Sequence, residues 1–164
     1  MSQLFWKKNS DNSSALYNGT LDLVHISTQS NGKSIFSISG IVYHIELKGF
    51  WLPQYVITSN DMVILSVKHD FWGSSGTIHF NDGTSCKCKY SGTASRSLTF
   101  FSNEHELLTY QFSINNGIIK IELRIGTELI DADKLLILST LGYVMYSNML
   151  SEGEMSDILT IIIN

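Results

Sequence analysis

The chain has 164 residues, about the length of one domain and long enough to bury a core without disulfides or a metal. Hydrophobic residues make up 43% and charged residues only 16%, so uncharged polar residues, 23 of them Ser, take an unusual share. Twelve Gly with a single proline exclude collagen-like and Pro-rich disordered chains, and a formal charge of −4 excludes a nucleic-acid binder held by a basic face.

The first fourteen residues carry Lys7 and Lys8 with no apolar run behind them, which does not fit a secretory signal peptide. Strand patterns begin at about residue 15. Leu21 to Thr28 is apolar and β-branched, and Asn31-Gly32 turns the chain into Ser34 to Ser39. Ile41, Tyr43, Ile45 and Leu47 alternate with Val42, His44, Glu46 and Lys48, the two-residue period of a half-buried strand. Phe50-Trp51-Leu52 follows in a loop, and Pro53 opens a strand from Gln54 to Thr58. Asn60-Asp61 separates that strand from Met62 to Lys68. His69 to Ser75 reads as a loop carrying Asp70, Phe71 and Trp72. Asn81-Asp82-Gly83 is the strongest hairpin signal, because Asn and Gly tolerate positive φ. The strand after it places Cys86, Cys88 and Tyr90 on one face and Lys87 and Lys89 on the other. Ser97 to Ser102, Leu108 to Ile114 and Ile119 to Ile125 complete about ten strands, ending near residue 126.

The pattern then changes period. Asp131-Ala132-Asp133 offers helix caps, and apolar residues from Leu135 to Met149 recur at helical spacing and spread nearly all round. The expected helix, about 132–150, is too short and too rich in Ser, Thr and Asn to span a bilayer well, so it belongs inside protein. Residues 151–164 end in an apolar β-branched run that reads as a last strand, a second short helix or a self-association tail. No linker or charge run interrupts the chain, so one domain is expected over 1–164.

A mainly β fold follows: a closed antiparallel barrel of about ten to twelve strands enclosing the late hydrophobic helix. An eight-stranded barrel fills with its own side chains, whereas an eleven-stranded can holds a helix. A sandwich with the helix across one open end is the alternative. The run Ser75-Gly76-Thr77-Ile78-His79-Phe80-Asn81-Asp82-Gly83-Thr84, a lysine-bearing strand, Leu98-Thr99-Phe100, and Leu107-Leu108-Thr109-Tyr110-Gln111-Phe112 precede Asp133-Lys134-Leu135-Leu136-Ile137-Leu138-Ser139-Thr140-Leu141-Gly142-Tyr143. This order resembles the tubby C-terminal-like superfamily, which includes the LURP-one-related proteins and phospholipid scramblases. The resemblance covers about Leu21 to Leu150. It implies a twelve-stranded barrel around a hydrophobic helix and a link to phospholipids. The chain departs from it in three ways: its lysines are scattered, it lacks a palmitoylated cysteine cluster, and residues follow the helix.

The residues propose no catalytic constellation. There is no Gly-rich phosphate loop and no Gly-x-Ser-x-Gly elbow. Cys86 and Cys88 read as small apolar residues on a strand, without a second pair to complete a zinc site or a disulfide framework. Five scattered histidines form no ligand spacing, so no metal or cofactor is expected. The lack of disulfides suits a reducing compartment, and a cytoplasmic location, peripheral to a membrane, is expected. The expectation is a non-enzymatic binding module for a phospholipid surface or a protein partner, with no nucleic acid and no transmembrane segment. Its surface would use Lys87, Lys89, Phe50 and Trp51. The alternative is a small-molecule carrier or hydrolase with a pocket at the barrel end near His69, Asp70 and Trp72.

Overall fold

Alternating strands joined by short turns leave each strand its sequence neighbour as the natural partner, with one face of every strand needing a core. The computed structural model describes residues 4–9, 12–70, 73–92, 97–115, 118–126 and 130–151. Among them are twelve strands: β1 (Leu4–Asn9), β2 (Ser13–Asn18), β3 (Leu21–Thr28), β4 (Ser34–Ile38), β5 (Ile41–Lys48), β6 (Gln54–Ser59), β7 (Met62–His69), β8 (Ser75–Phe80), β9 (Ser85–Ser91), β10 (Ser97–Ser102), β11 (His105–Asn115) and β12 (Ile118–Ile125). One helix follows, α1 (Ala132–Ser151). Each strand pairs antiparallel with the next, in chain order, and β12 returns to lie against β1. The sheet therefore rolls into a nearly closed barrel, and α1 lies within it.

The strands start earlier than the sequence pattern suggests. β1 precedes the expected start at about residue 15, which falls inside β2, because Lys7-Lys8-Asn9 interrupts its alternation. Their ladder runs from Leu4↔Asn18 to Asn9↔Ser13, and the buried Leu4, Ala15 and Leu16 give them a core to enter. The Asn60-Asp61 turn has φ of 48° and 63°, the left-handed pair that a two-residue hairpin needs. Phe71, Trp72 and residues 152–164, the expected final strand or self-association tail, lie outside the described residues.

The helix is fixed at both ends and in the middle. Asp131 Oδ1 accepts the backbone N–H groups of Asp133 and Lys134, each at 3.1 Å, so Asp131 is the N-cap. Lys134 Nζ donates to Asp82 Oδ2 at 2.5 Å and Thr84 Oγ1 at 3.0 Å, and lies 5.0 Å above the Phe80 ring. These contacts pin the helix start to the β8–β9 hairpin, the lower end of the barrel. Ile137, Leu138, Leu141, Met145 and Tyr146 are buried against the inward strand residues. Two buried hydroxyl residues ride along, and Thr140 Oγ1 donates back to the Leu136 carbonyl at 2.8 Å. At mid-height the buried Tyr110 hydroxyl donates to the Ser139 carbonyl at 2.5 Å and accepts from Trp6 Nε1 at 2.9 Å. Burial raises its pKa well above the ordinary value, so it stays a neutral donor. Gly142 is required beside it. A Cβ there would meet Tyr110 Cε2 at 2.5 Å and Phe100 Cε2 at 3.0 Å. Near the upper end, Tyr143 stacks on Trp6 at 4.2 Å and its hydroxyl bonds Ser14 Oγ at 2.7 Å. Asn148 Nδ2 donates to the Tyr55 hydroxyl at 2.9 Å. No helix among the described residues is long and apolar enough to cross a membrane.

Two substitutions measure this enclosure in urea unfolding. Gly142→Ala should cost about 1–3 kcal/mol by overpacking against Tyr110 and Phe100. Tyr110→Phe should cost a similar ~1–3 kcal/mol by leaving the Ser139 carbonyl and the Trp6 N–H without that partner. Unchanged midpoints for both would mean that the helix is not held inside the barrel.

Candidate functional site

The turns β1–β2, β3–β4, β5–β6, β7–β8 and β9–β10 all lie at the upper end, where α1 emerges. This end is built differently on its two sides. On the β6–β9 side it is plugged. Inward-facing Tyr55 of β6, His69 of β7 and Tyr90 of β9 meet there, with His69 edge-on to Tyr55 at 6.1 Å and stacked on Tyr90 at 6.5 Å. Gly76 of β8 leaves the room for this. A Cβ would sit 3.1 Å from Cys88 Sγ and 3.3 Å from His69 Nδ1. His69 Nδ1 is buried without a hydrogen-bond partner, and burial pushes its imidazole below the ordinary pKa, opposed by Asp70.

Asp70 does not engage that imidazole. It folds its own loop. Asp70 Oδ1 accepts the Ser74 N–H at 2.9 Å, and Oδ2 accepts the Ser75 hydroxyl at 2.8 Å and the Ser74 hydroxyl at 3.1 Å. Those bonds, Ser75 first, hold its carboxyl below the usual range. Trp72, the third residue expected at this site, lies outside the described residues. Cys86 and Cys88 face inward, and burial pushes both thiols up to about 12. They are protonated and unreactive at neutral pH.

On the β1–β5 side the same end is open. A cavity of about 560 Å³ lies between the last turns of α1 and the strand ends. Tyr143, Val144, Ser147 and Asn148 form its helix wall, and Lys8, Ser14, Ile26, Thr28, Ser34 and Leu47 line the barrel wall. Lys8 follows Leu4 and Trp6 on the inward side of β1 and stands opposite Ser14 in the ladder. The Thr28 and Ser34 hydroxyls bond each other at 3.1 Å across β3 and β4. On the rim, Lys33 Nζ lies 2.8 Å from Glu46 Oε1 and Lys48 Nζ 3.6 Å from Glu46 Oε2. The Lys33 bond holds the Glu46 carboxyl below its ordinary range. His69 and Asp70 do not line this cavity.

Beside the cavity the β5–β6 loop projects as a finger. Gly49 has φ of 98°, and a Cβ there would press on the Leu52 carbonyl oxygen at 3.0 Å, so glycine is needed for the bend. Phe50, Trp51 and Leu52 are 89%, 88% and 57% exposed. The two rings meet edge-on at 5.6 Å and lean on each other. Leu47, half exposed, joins the finger to the cavity.

Charge is also divided between the ends. The upper half carries Lys8, Lys33, Lys48, Lys68 and Lys89 against Glu46 and Asp70. The lower end carries Asp22, Asp61, Asp82, Glu104, Glu106, Asp131 and Asp133, against Arg124, Lys134 engaged by Asp82, and His25 engaged by Asp22. Lys87 and Lys89 are exposed on the outer wall of β9, and Lys68 joins them, because Lys68 and Lys87 flank Thr77 in the ladder. Lys68 is one strand step from β6 and the finger, whereas Lys87 and Lys89 are three steps away, about 14 Å, so finger and row are neighbours on one end and not one patch.

Sequence reading missed Lys8, Lys33 and Lys48 as site residues. A visible signal existed for Lys8, since Leu4-x-Trp6-x-Lys8 alternates, but only the closed barrel shows which face is inward.

His69 sets a pH response. The unfolded chain protonates this residue near its ordinary pKa of about 6.5, and the folded chain only at lower pH. Its stabilising contribution is therefore complete above about pH 6.5 and is lost as pH falls below that toward the folded pKa. Melting temperature should drop from neutral pH toward about pH 5 less steeply in His69→Phe, which keeps a ring in the plug, than in wild type; parallel curves would refute the assignment. No family model, curated protein or solved structure matches the chain.

Proposed function

We propose that the protein is a non-enzymatic module of the tubby C-terminal-like kind that docks its upper end on an anionic lipid surface. The observation that carries this reading is the finger: three consecutive large apolar side chains held in solvent at the end that gathers the lysines. Trp and Phe are at home at the bilayer interface, and basic residues near an anionic surface add about 1 kcal/mol each. Lys33, Lys48 and the outer row of Lys68, Lys87 and Lys89 flank the finger, while the acidic lower end points away from the surface. A molecule charged in this way is turned by the field before it touches the membrane. The twelve antiparallel strands around a helix agree with what the family resemblance implies. The non-enzymatic reading rests on His69 wedged between rings, Asp70 committed to its own loop, and two inert thiols. The free thiols also suit a location at the cytoplasmic face.

Vesicle co-sedimentation tests the docking. Wild type should bind phosphatidylcholine–phosphatidylserine vesicles and bind pure phosphatidylcholine weakly. Phe50→Ser/Trp51→Ser should lose about tenfold or more, from the apolar burial forgone. Lys87→Glu/Lys89→Glu should weaken binding to the anionic vesicles alone, increasingly so at low salt. Failure of wild type to bind either vesicle would overturn the lipid reading and leave the finger to a protein partner.

A further inference from the structure

The cavity on the β1–β5 side is a site that membrane docking does not use. Its lining is mixed. Ile26, Leu47 and Val144 are its apolar residues, and Lys8 and the Thr28–Ser34 hydroxyl pair are polar, with the Lys33–Glu46 ion pair beside them. Lys33 and Lys48 both lean on Glu46, so their charge is partly met. Lys8 has no ion-pair partner among the described residues, although it continues the inward row that begins with the buried Leu4 and the Tyr143-stacked Trp6. An exposed cation that lines a barrel mouth, beside hydroxyls and apolar side chains, is complementary to an anion that carries a short apolar portion. The volume, about 560 Å³, lies in the range of small-molecule sites.

We propose that this cup binds a small amphiphilic anion, with its acid head on Lys8 and its apolar portion against Ile26, Leu47 and Val144. The helix fixes which way round the ligand lies. The last turns of α1 border the cup, and their partial negative charge disfavours an anionic head on that side. The head therefore sits by β1, and the apolar part lies along Val144. The head and tail could come from a membrane lipid or from a soluble metabolite, since the recognising chemistry is the same.

Isothermal titration of the full chain with hexyl phosphate, inorganic phosphate and hexanol tests the site. Hexyl phosphate should bind about tenfold or more tightly than inorganic phosphate, because the cup buries part of the alkyl chain. Hexanol should bind far more weakly than hexyl phosphate. Lys8→Met should lose about tenfold or more of the hexyl phosphate affinity, the worth of a charge-assisted hydrogen bond, and Lys8→Arg should keep most of it. Phe50→Ser/Trp51→Ser should bind hexyl phosphate as wild type does, which separates this site from membrane docking. Displacement of hexyl phosphate by phosphatidylcholine–phosphatidic acid vesicles would support the site with a membrane source for its ligand, and retention would support it with a soluble one. No heat with hexyl phosphate, equal affinity in Lys8→Met, or hexanol binding as tightly as hexyl phosphate overturns the proposal.

Discussion

The enclosure of α1 is the constraint on which the rest of the structure depends. A helix apolar on every side has no face to give to water, and a sheet with one apolar face has nothing to cover it. Each solves the other's problem when twelve strands roll around the helix. The fit is close at one level of the barrel, where Gly142 lets Phe100 and Tyr110 touch the helix backbone and Tyr110 donates to the Ser139 carbonyl. Trp6 joins this level by donating to Tyr110 while stacking on Tyr143. One tyrosine thus connects β1, β11 and α1 close to the seam where β12 meets β1.

The same enclosure makes the two ends unequal. The helix begins flush with the β8–β9 hairpin, where Lys134 meets Asp82, and the bond holds that carboxyl far below its ordinary range. At the other end the Asn148–Tyr55 bond ties α1 to the aromatic plug. The cup opens between the last turns of α1 and β1–β5, where Lys8, Ser14, Thr28 and Ser34 stand beside Ile26 and Leu47. The candidate surfaces gather at the upper end. The projecting finger, the lysines and the cup all belong to turns and strand ends there, on a rigid wall that positions them.

The charge pattern depends on the fold in the same way. Along the chain, acidic and basic residues are interleaved and sum to a mild negative charge. Successive turns of an up-and-down barrel fall on alternate ends, and here the acidic turn residues Asp61, Asp82 and Glu104 fall at the lower end while Lys33 and the strand-end residues Lys8, Lys48 and Lys68 fall at the upper one. A net charge that argues against an electrostatic role therefore coexists with a basic end. The buried thiols follow the same logic: facing inward, Cys88 beside Gly76 and Cys86 beside Ile78, removes them from chemistry, whatever their spacing suggests.

By itself the sequence determined the class of fold. Period-two alternation from β3 to β12, the turn pairs Asn60-Asp61 and Asn81-Asp82-Gly83, and a late helix without a polar face lead to a barrel around a helix, because these are local properties of propensity and patterning. It also drew attention to Phe50 and Trp51, since two adjacent aromatics before Pro53 stand outside any strand period. It did not reveal β1, whose polar residues mask its alternation until β2 and β12 give it partners. Nor did it place Lys8, Lys33 and Lys48 at one end, join Tyr55, His69 and Tyr90 into a plug, or open the cup. Those depend on ring closure and on how far the helix runs within the ring, and such long-range relations leave no trace in local spacing. The low charged fraction reads in the sequence as a surface without an electrostatic task. Only the tertiary structure sorts those few charges by end, because strand direction decides which turns become neighbours.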